Sequence, residues 1–227
     1  ETLEFLGRGD IDGGVAGVGP GFIPFSSDTS DGIDDHSQFS QELRLSSNGD
    51  GNFGWQVGAY YFQEDLSILS LGFFSPSGIF TDARQVQDTE SWAVFGSVNF
   101  KPMDKLAVTA GLRYSDDSKS LTARGGIAKI APITRSVSDG ALSWDISATY
   151  DATETANLYA RAARGYRAPS IQGRILFGTA VTIAQSEFVT SFEAGVKLFT
   201  ADRRLRADLS FFDMRIEDQQ FTAIGGA

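Results

Sequence analysis

The stretch that decides the fold is LSWDISATYDATETANLYARAARGYRAPS, residues 142–170. Successive side chains of a β-strand point to opposite faces, so alternation in the sequence assigns residues to faces. The first strand places apolar side chains on one face: Leu142, Trp144, Ile146, Ala148 and Tyr150. A polar turn at 151–155 follows, and the return strand alternates Leu158, Ala160 and Ala162 with Asn157, Tyr159 and Arg161. The stretch predicts a β-hairpin with one apolar and one polar face.

Three more hairpins of this kind occur along the chain. Their strands lie near residues 39–46 and 53–64, 92–100 and 106–114, and 194–198 and 205–211. The four tight turns centre near Asp50, Met103, Thr153 and Asp202, so they are 53, 50 and 49 residues apart. Longer connections, expected to be irregular, lie between the hairpins at about 70–88, 123–139 and 168–187. All short turns are therefore predicted at one end of the sheet and all long loops at the other.

Composition excludes several classes of protein. The 227 residues include 18 phenylalanines and 25 glycines, a bias that favours strands and turns over helices. The sequence contains no run of 18 apolar residues, so it predicts no transmembrane helix. The strands of a membrane barrel alternate in polarity and would not give such a run. The chain has no cysteine, so it offers neither a disulfide nor a thiolate metal site. A net charge of −10 without a basic cluster argues against a nucleic-acid partner.

The asymmetry between turns and loops is typical of an outer-membrane barrel, which has short periplasmic turns and long extracellular loops. A soluble β-sandwich usually has short connections at both ends. Aromatic residues near both limits of the apolar rows agree with the membrane interpretation: Phe53 and Tyr61, Trp92 and Phe100, Trp144 and Tyr150. Eight strands closed on themselves would need a packed interior, and the small residues on the polar face do not supply one. We therefore predict an all-β, antiparallel, up-and-down transmembrane segment of about eight strands within a larger barrel.

The organisation of the chain is predicted in three parts. Residues 1–37 are rich in glycine and aspartate and are expected to form an extracellular loop or the end of an incoming strand, residues 38–220 the barrel strands, and residues 221–227 the start of the next loop. The chain is expected to be a fragment of a longer protein.

No constellation of catalytic or metal-binding residues stands out. An acidic patch at Asp28, Asp31, Asp34 and Asp35 could bind calcium, but its spacing does not match an EF-hand, and a solvated loop is the preferred interpretation. His36 is the single histidine and is expected to be a loop residue. We predict no catalytic residue, no cofactor and no metal site, and the chain is not expected to be an enzyme.

Five segments carry a resemblance to a known family: SQELRLSS (40–47), GWQVGAYYFQE (54–64), VTAGLRYSDDSKS (108–120), NLYARAARGYRAPS (157–170) and SFEAGVKLF (191–199). The GYRAP run followed some twenty residues later by the FEAGVK strand is the most specific part. With these segments the chain resembles the β-barrel region of TonB-dependent outer-membrane receptors.

The resemblance implies a 22-stranded barrel whose lumen is filled by an N-terminal plug domain of the same parent chain. Such receptors lie in the bacterial outer membrane, in contact with its lipid, and import scarce nutrients, typically ferric siderophores, with energy supplied through TonB. The motif residues to which the resemblance assigns a structural role are Gly165, Tyr166, Arg167, Ala168, Pro169, Glu193, Gly195 and Lys197. Loop residues that could contact a siderophore through aromatic and cationic groups are Phe73, Phe74, Phe80, Arg174 and Phe177.

Two other functions are compatible with the strand pattern. A passive porin-like channel would show pore current without TonB. A soluble β-sandwich binding module would be recovered from the aqueous fraction without detergent.

Overall fold

The computed structural model describes residues 9–10, 28–49, 51–74, 78–176, 178–202 and 204–221. These residues form β-strands joined by turns and short irregular segments. The strands are β1 (Gly9–Asp10), β2 (Asp28–Ser46), β3 (Phe53–Phe74), β4 (Gly78–Met103), β5 (Leu106–Gly125), β6 (Ile130–Thr153), β7 (Ala156–Arg167), β8 (Ser170–Gln172), β9 (Thr182–Ala184), β10 (Glu187–Phe199) and β11 (Arg206–Glu217). Within the described part of the chain, no helix is long and apolar enough to cross a membrane.

Nine of the strands form one antiparallel sheet in the order β1-β2-β3-β4-β5-β6-β7-β10-β11, and β8 pairs with β9 separately. Each long strand is hydrogen-bonded to the one before it and the one after it, except where the β8–β9 pair is inserted between β7 and β10. β1 contributes only two residues, which pair with Thr29 and Asp28. The predicted all-β, antiparallel, up-and-down arrangement of eight long strands is confirmed.

The register of the sheet produces continuous apolar rows. Residues directly opposite each other in an antiparallel ladder lie on the same face. One row runs through seven strands and consists of Phe53, Phe100, Val108, Ala148, Ala160, Ala194 and Phe211. Its three phenylalanines are 54%, 46% and 72% exposed. The sheet therefore has one apolar face, and along this row no other described part of the chain covers it.

The polar face follows from the same register. One residue further along each strand, the row reads Gly54, Asn99, Thr109, Ser147, Arg161, Glu193 and Phe212. Because the pleat sends neighbours to opposite faces, the two faces differ in polarity from β4 to β10, and the polar row ends at the apolar Phe212 on β11. The alternation predicted from residues 142–162 is thus continued by the neighbouring strands.

Two of the three irregular connections were predicted wrongly. β3 and β4 continue to Phe74 and from Gly78, and β5 and β6 to Gly125 and from Ile130, so most of 70–88 and 123–139 is paired strand. These four strands contain 22, 26, 20 and 24 residues, whereas a bilayer is crossed by about 9–11. On β5 and β6 the face that carries the apolar rows becomes polar in this region, as at the pairs Ser118–Ser138 and Ser120–Ser136, while backbone pairing continues. The prediction for 168–187 is confirmed, because only the short β8–β9 pair forms there.

The acidic patch and the histidine also lie in a strand rather than in a loop, which corrects both expectations. β2 begins at Asp28 and carries Asp31, Asp34, Asp35 and His36. Asp34 forms an ion pair with Arg84 at 2.7 Å, and the Nε2 atom of His36 lies 3.1 Å from Glu64 Oε1. Among the described residues, no group of three or more histidine, aspartate or glutamate side chains is arranged to hold a metal ion. The alternation of 28–37 was hidden because both faces of β2 are polar there.

Candidate functional site

Most charged side chains on the polar face are paired within the sheet. Arg44 forms an ion pair with Glu42 on the same strand, and Arg161 on β7 lies 3.4 Å from Asp145 on β6. Arg206 and Asp208 are paired at 2.9 Å on β11. These pairs are partly exposed, so each contributes little stability by itself. The result is a hydrated face whose charges are largely balanced.

Arg113 on β5 differs from these residues because it has no carboxylate partner among the described residues. Its Nε atom donates a hydrogen bond to Ser115 Oγ at 2.9 Å. Its guanidinium lies 5.6 Å from the ring centroid of Tyr60 and 5.7 Å from that of Phe95, distances at which a cation is attracted to an aromatic ring. Arg44 lies over the same Phe95 ring at 5.9 Å. This cluster presents positive charge on the polar face and can accept an anionic group.

The motif residues of β10 surround a single tyrosine of β7. The hydroxyl of Tyr159 donates to Glu193 Oε1 at 2.7 Å, and Lys197 Nζ lies 5.3 Å from the centre of the same ring. Gly195 faces Tyr159 directly in the register, and a Cβ atom there would be 2.6 Å from the ring. Only glycine leaves room for this ring to lie against the strand. Sequence reasoning missed Tyr159, although its place on the polar face of the hairpin was a signal for it.

The GYRAP motif lies where β7 leaves the sheet. Gly165 is paired with Val189 of β10, and the hydroxyl of Tyr166 donates to the backbone oxygen of Asp139 at 3.2 Å. Arg167 lies 3.8 Å from Glu187 across the same junction. The backbone oxygen of Ala168 accepts a hydrogen bond from Gln220, and Pro169 is fully buried. The motif therefore fixes the start of the connection between β7 and β10.

This connection, residues 168–187, is called the strap below. Its tip is buried against the β3–β4 and β5–β6 hairpins, which are called the long hairpins below. Ile175 and Leu176 pack there with Ala83, Leu121 and Ala123 in the apolar cluster of the described residues. The backbone oxygen of Leu176 accepts a hydrogen bond from the amide of Ile127 at 3.0 Å. The strap thus reaches from the end of β7 to the turn between β5 and β6.

Two further contacts fix the tip of the strap. Arg174 forms an ion pair with Asp31 of β2 at 3.2 Å, and Asp31 also accepts a hydrogen bond from Ser70 Oγ at 2.5 Å. Gly126 has a φ of +73°, and a Cβ atom there would lie 2.2 Å from the backbone oxygen of Ile175. A side chain at this position is excluded both by the backbone conformation and by the strap.

The tip of the strap lies on the polar face of the sheet. Leu121 and Ala123 follow Arg113 on β5 by eight and ten residues, and an even separation keeps side chains on one face. The strap therefore covers the long hairpins on the same side as the Arg113 cluster, further from the tight turns. No sequence pattern indicated this contact, because Ile175 and Leu176 belong to no alternating run.

The five loop candidates are placed differently from one another. Phe73 and Phe74 end β3, and Phe80 is partly buried on β4. Arg174 lies on the strap, where it is bound to Asp31. Phe177 lies outside the described residues. Ligand contact by these residues stays a prediction.

The long hairpins also hold two carboxyl groups face to face. Asp65 of β3 is directly opposite Asp88 of β4. Desolvation, and then the hydrogen bond and the charge of Asp65, raise the pKa of Asp88. Asp65 is bound in turn by the hydroxyl of Ser37 at 3.1 Å. This pair lies on the face that carries the apolar rows nearer the tight turns.

Solved structures show the same fold. The chain aligns with the ferric yersiniabactin uptake receptor FyuA from Yersinia pestis at a TM-score of 0.75 and 20% identity, covering 88% of this chain and 31% of that one. The siderophore receptor PiuA from Acinetobacter baumannii aligns at a TM-score of 0.58 and 16% identity, covering 82% and 32%. The ferric-catecholate import receptor Fiu from E. coli K12 aligns at 0.53 and 17%, covering 85% and 32%. The chain thus spans about a third of these receptors.

The family can be assigned from the sequence independently of these structures. The model of the family described as "TonB dependent receptor-like, beta-barrel" matches residues 7–227. This match includes all eight long strands and the strap. The chain belongs to the TonB-dependent receptor family and forms part of its β-barrel.

Proposed function

We propose that this chain is part of the barrel of a bacterial outer-membrane receptor that takes up a ferric siderophore with energy supplied through TonB. The observation that carries the proposal is the uninterrupted apolar row across seven strands, opposite a row that is polar from β4 to β10. In this proposal the apolar face meets outer-membrane lipid, and the polar face lines the lumen and meets the plug domain. In this proposal residues 1–37 form an extracellular loop or an incoming strand end, 38–220 the barrel strands, and 221–227 the start of the next loop.

The polar face has a feature that suits an anionic ligand. Arg113 lies near two aromatic rings and lacks a carboxylate partner among the described residues, so its positive charge is available to a ligand. Many iron chelates are negatively charged and carry flat conjugated groups, which an arginine–aromatic cluster can bind. The names of the similar receptors, which refer to ferric yersiniabactin, siderophores and ferric catecholates, agree with this ligand class.

Uptake of radioactive iron tests the proposal. The full-length parent protein would be expressed in a bacterial strain that lacks its own ferric-siderophore receptors, and iron would be supplied as ferric catecholate and as ferric citrate complexes. We expect uptake of at least one complex in cells with functional TonB and none in otherwise identical cells without it.

Other outcomes would contradict the proposal in distinct ways. Uptake that persists without TonB, together with ion current through the purified protein in a planar bilayer, would identify a passive channel. Recovery of the parent protein from the aqueous fraction without detergent would identify a soluble binding protein.

A further inference from the structure

Gln220, three residues beyond the end of β11, bonds to both legs of the strap. Its side-chain amide nitrogen donates to the backbone oxygens of Ala168 and Gln185, each at 2.9 Å. Its side-chain oxygen accepts from Ser170 Oγ at 2.9 Å, and its backbone amide donates to Glu187 Oε2 at 2.8 Å. A glutamine side chain has two N–H donors, and here both are used. One residue thus ties the first leg of the strap at 168 and 170 to the second leg at 185 and 187.

Two sets of backbone bonds also hold the legs of the strap together. The β7–β10 ladder pairs Arg167 with Glu187 at the base of the strap. The β8–β9 pair contributes three residue pairs between 170–172 and 182–184. The ion pair between Arg167 and Glu187 is 3.8 Å long, and Arg167 is 63% exposed, so its contribution is small. Gln220 is partly buried and binds neutral backbone groups, which do not depend on salt. Asp139 of β6 also holds the second leg, by accepting a hydrogen bond from the hydroxyl of Ser186, whereas Gln220 bonds to both legs.

The base of the strap determines where its tip can reach. The tip contacts the polar face through Ile175, Leu176 and the ion pair of Arg174 with Asp31. The β7–β10 ladder closes the loop at residues 167 and 187, and the bonds of Gln220 to residues 168, 170, 185 and 187 add a restriction on the directions in which the two legs leave the sheet. Fixing these directions in advance removes part of the conformational entropy that is lost when the tip is held at one place. Releasing the base would therefore also weaken the contact of the tip, although the tip residues themselves are unchanged.

We propose that Gln220 is a positioning residue for ligand capture: by clamping both legs of the strap, it keeps the tip on the polar face and so sets the affinity for the ferric siderophore. This inference rests on the proposed function. Gln220 acts through the strap and is not itself a ligand-contacting residue. Ordering the strap before the ligand arrives lowers the entropic cost of binding, which is how preorganisation raises affinity.

The adjacent residue provides a matched control. Gln219 is exposed, and no contact of its side chain is described. Gln220→Leu removes three side-chain hydrogen bonds and keeps a similar volume, whereas Gln219→Leu makes the same chemical change one position earlier. Gln220→Ala is the second test variant, since it avoids placing a branched apolar group beside Ser170.

The first experiment measures the accessibility of the strap tip in the absence of ligand. The chain has no cysteine, so a single cysteine reporter can be placed at Leu176, which is 1% exposed, or at exposed Thr179 as a reference, with any other cysteine of the parent protein replaced. Maleimide labelling of the full-length receptor in intact cells is measured as a rate. Gln220→Leu should accelerate labelling of Leu176→Cys about tenfold, because each lost hydrogen bond shifts the equilibrium by a factor of a few. Labelling at Thr179→Cys should not change, nor should any rate in Gln219→Leu.

The second experiment measures the apparent affinity of the receptor for its ligand. Binding and uptake of the ferric complex accepted by the wild-type receptor are measured as a function of concentration. For Gln220→Leu and Gln220→Ala we expect the concentration for half-maximal uptake to rise about tenfold while the maximal rate stays the same. A defect in barrel assembly would instead lower the maximal rate, since it reduces the number of receptors.

The outcomes separate the two proposals. Faster labelling with unchanged half-maximal concentration would overturn the positioning role of Gln220 and leave the proposed function intact. Unchanged labelling in both Gln220 variants would also overturn it. Failure of the wild-type receptor to take up any ferric complex would overturn the proposed function, and the role of Gln220 with it.

Discussion

The two ends of the same strands differ in what their side chains face. At the end with the tight turns, one face is apolar and exposed, with Leu43, Val57 and Val94 between 46% and 67% accessible. At the opposite end, where β3 to β6 continue beyond the apolar rows and which is called the extended end, the same face carries Ser118, Ser120, Ser136 and Ser138. The strands remain paired there. Backbone hydrogen bonds continue across the change, so pairing does not depend on the polarity of the side chains. The boundary between the two regions is therefore a change in side-chain polarity and not a change of fold.

The boundary can be located within single strands. On β5 the apolar face changes from Leu112 and Tyr114 to Asp116, and on β6 it changes from Leu142 to Gly140. Tyr114 and Leu142 are direct partners in the ladder, as are Asp116 and Gly140. Two neighbouring strands thus change polarity at the same level. This agreement is expected for a sheet that leaves a bilayer at a common height.

The largest expected effect comes from placing a charge on either side of this boundary. Ile146→Arg and Ser136→Arg lie on one face of β6, ten residues apart, and only the first is within the apolar rows. In the full-length protein reconstituted in phospholipid vesicles, Ile146→Arg should lower the free energy of unfolding by about 2–4 kcal/mol, the cost of an arginine near the bilayer midplane. Ser136→Arg should change it by less than about 0.5 kcal/mol. Urea-induced unfolding followed by tryptophan fluorescence measures both.

Equal effects of the two arginines would contradict the membrane interpretation. If both variants were tolerated, the apolar face would be solvated or covered by a mobile partner. If both were strongly destabilising, the two regions would share one packed environment.

The second expected effect distinguishes the glycines at the two ends. Gly126→Ala at the extended end adds a Cβ atom 2.2 Å from the backbone oxygen of Ile175, at a residue whose φ is +73°. Strain of this kind costs about 1–3 kcal/mol, and the strap can escape it by moving away. Amide hydrogen exchange of residues 173–181 should therefore become about tenfold faster or more. The control is Gly51→Ala in the first tight turn, where nothing lies within 4 Å of the added atom, and no change is expected there.

A slower or unchanged exchange of the strap in Gly126→Ala would show that the tip does not rest on the turn between β5 and β6. The same result in Gly51→Ala would have no such meaning, because that turn contacts no other element at the position of the added atom.

The sequence determined one end of the sheet better than the other, for physical reasons. Around residues 142–162 one face needs apolar side chains, so alternation revealed both the strands and their faces. In 70–88 and 123–139 the apolar rows do not continue regularly, and the buried residues of the other face, such as Ala83 and Ala123, pack against the strap. These strands therefore show no regular apolar alternation and resemble irregular loops in sequence. Ile175 and Leu176 contact residues some fifty to ninety positions away, and no local pattern encodes such a contact. The resemblance of 157–170 and 191–199 identified the family but not Tyr159, the ring around which three motif residues gather.

The third prediction concerns that ring, which lies in the region with two distinct faces. Tyr159→Phe removes the hydrogen bond to Glu193 and leaves the contact with Gly195 intact. We expect a small loss in the free energy of unfolding, since the bond is to a carboxylate group but is accessible to water. Tyr150→Phe is the control, because the hydroxyl of Tyr150, on the apolar face, has no described hydrogen-bond partner. Comparable losses in both variants would show that the contact with Glu193 adds nothing specific to this sheet.

The smallest expected effect is electrostatic and belongs to the extended end. Asp88 and Asp65 face each other across β3 and β4, and the pKa of Asp88 is raised above its ordinary value of 3.8. The folded hairpin therefore takes up this proton at a higher pH than the unfolded chain does. Its stability rises as the pH falls through the raised pKa of Asp88, and it is lowest where both carboxyl groups are ionised.

Asp88→Asn should accordingly stabilise the β3–β4 hairpin by a few tenths of a kcal/mol at pH 7, the usual scale for like charges directly opposite in a ladder. The gain should vanish below pH 3.8, where Asp88 is already protonated. Hydrogen exchange of the hairpin at both pH values measures this, with Asp82→Asn as the control, since Asp82 is exposed on the same strand and faces uncharged Leu71. A gain at pH 7 in both variants would point to the overall negative charge of the chain. A gain confined to Asp88→Asn would instead show that the extended end retains a specific like-charge contact on the same face that is apolar nearer the tight turns.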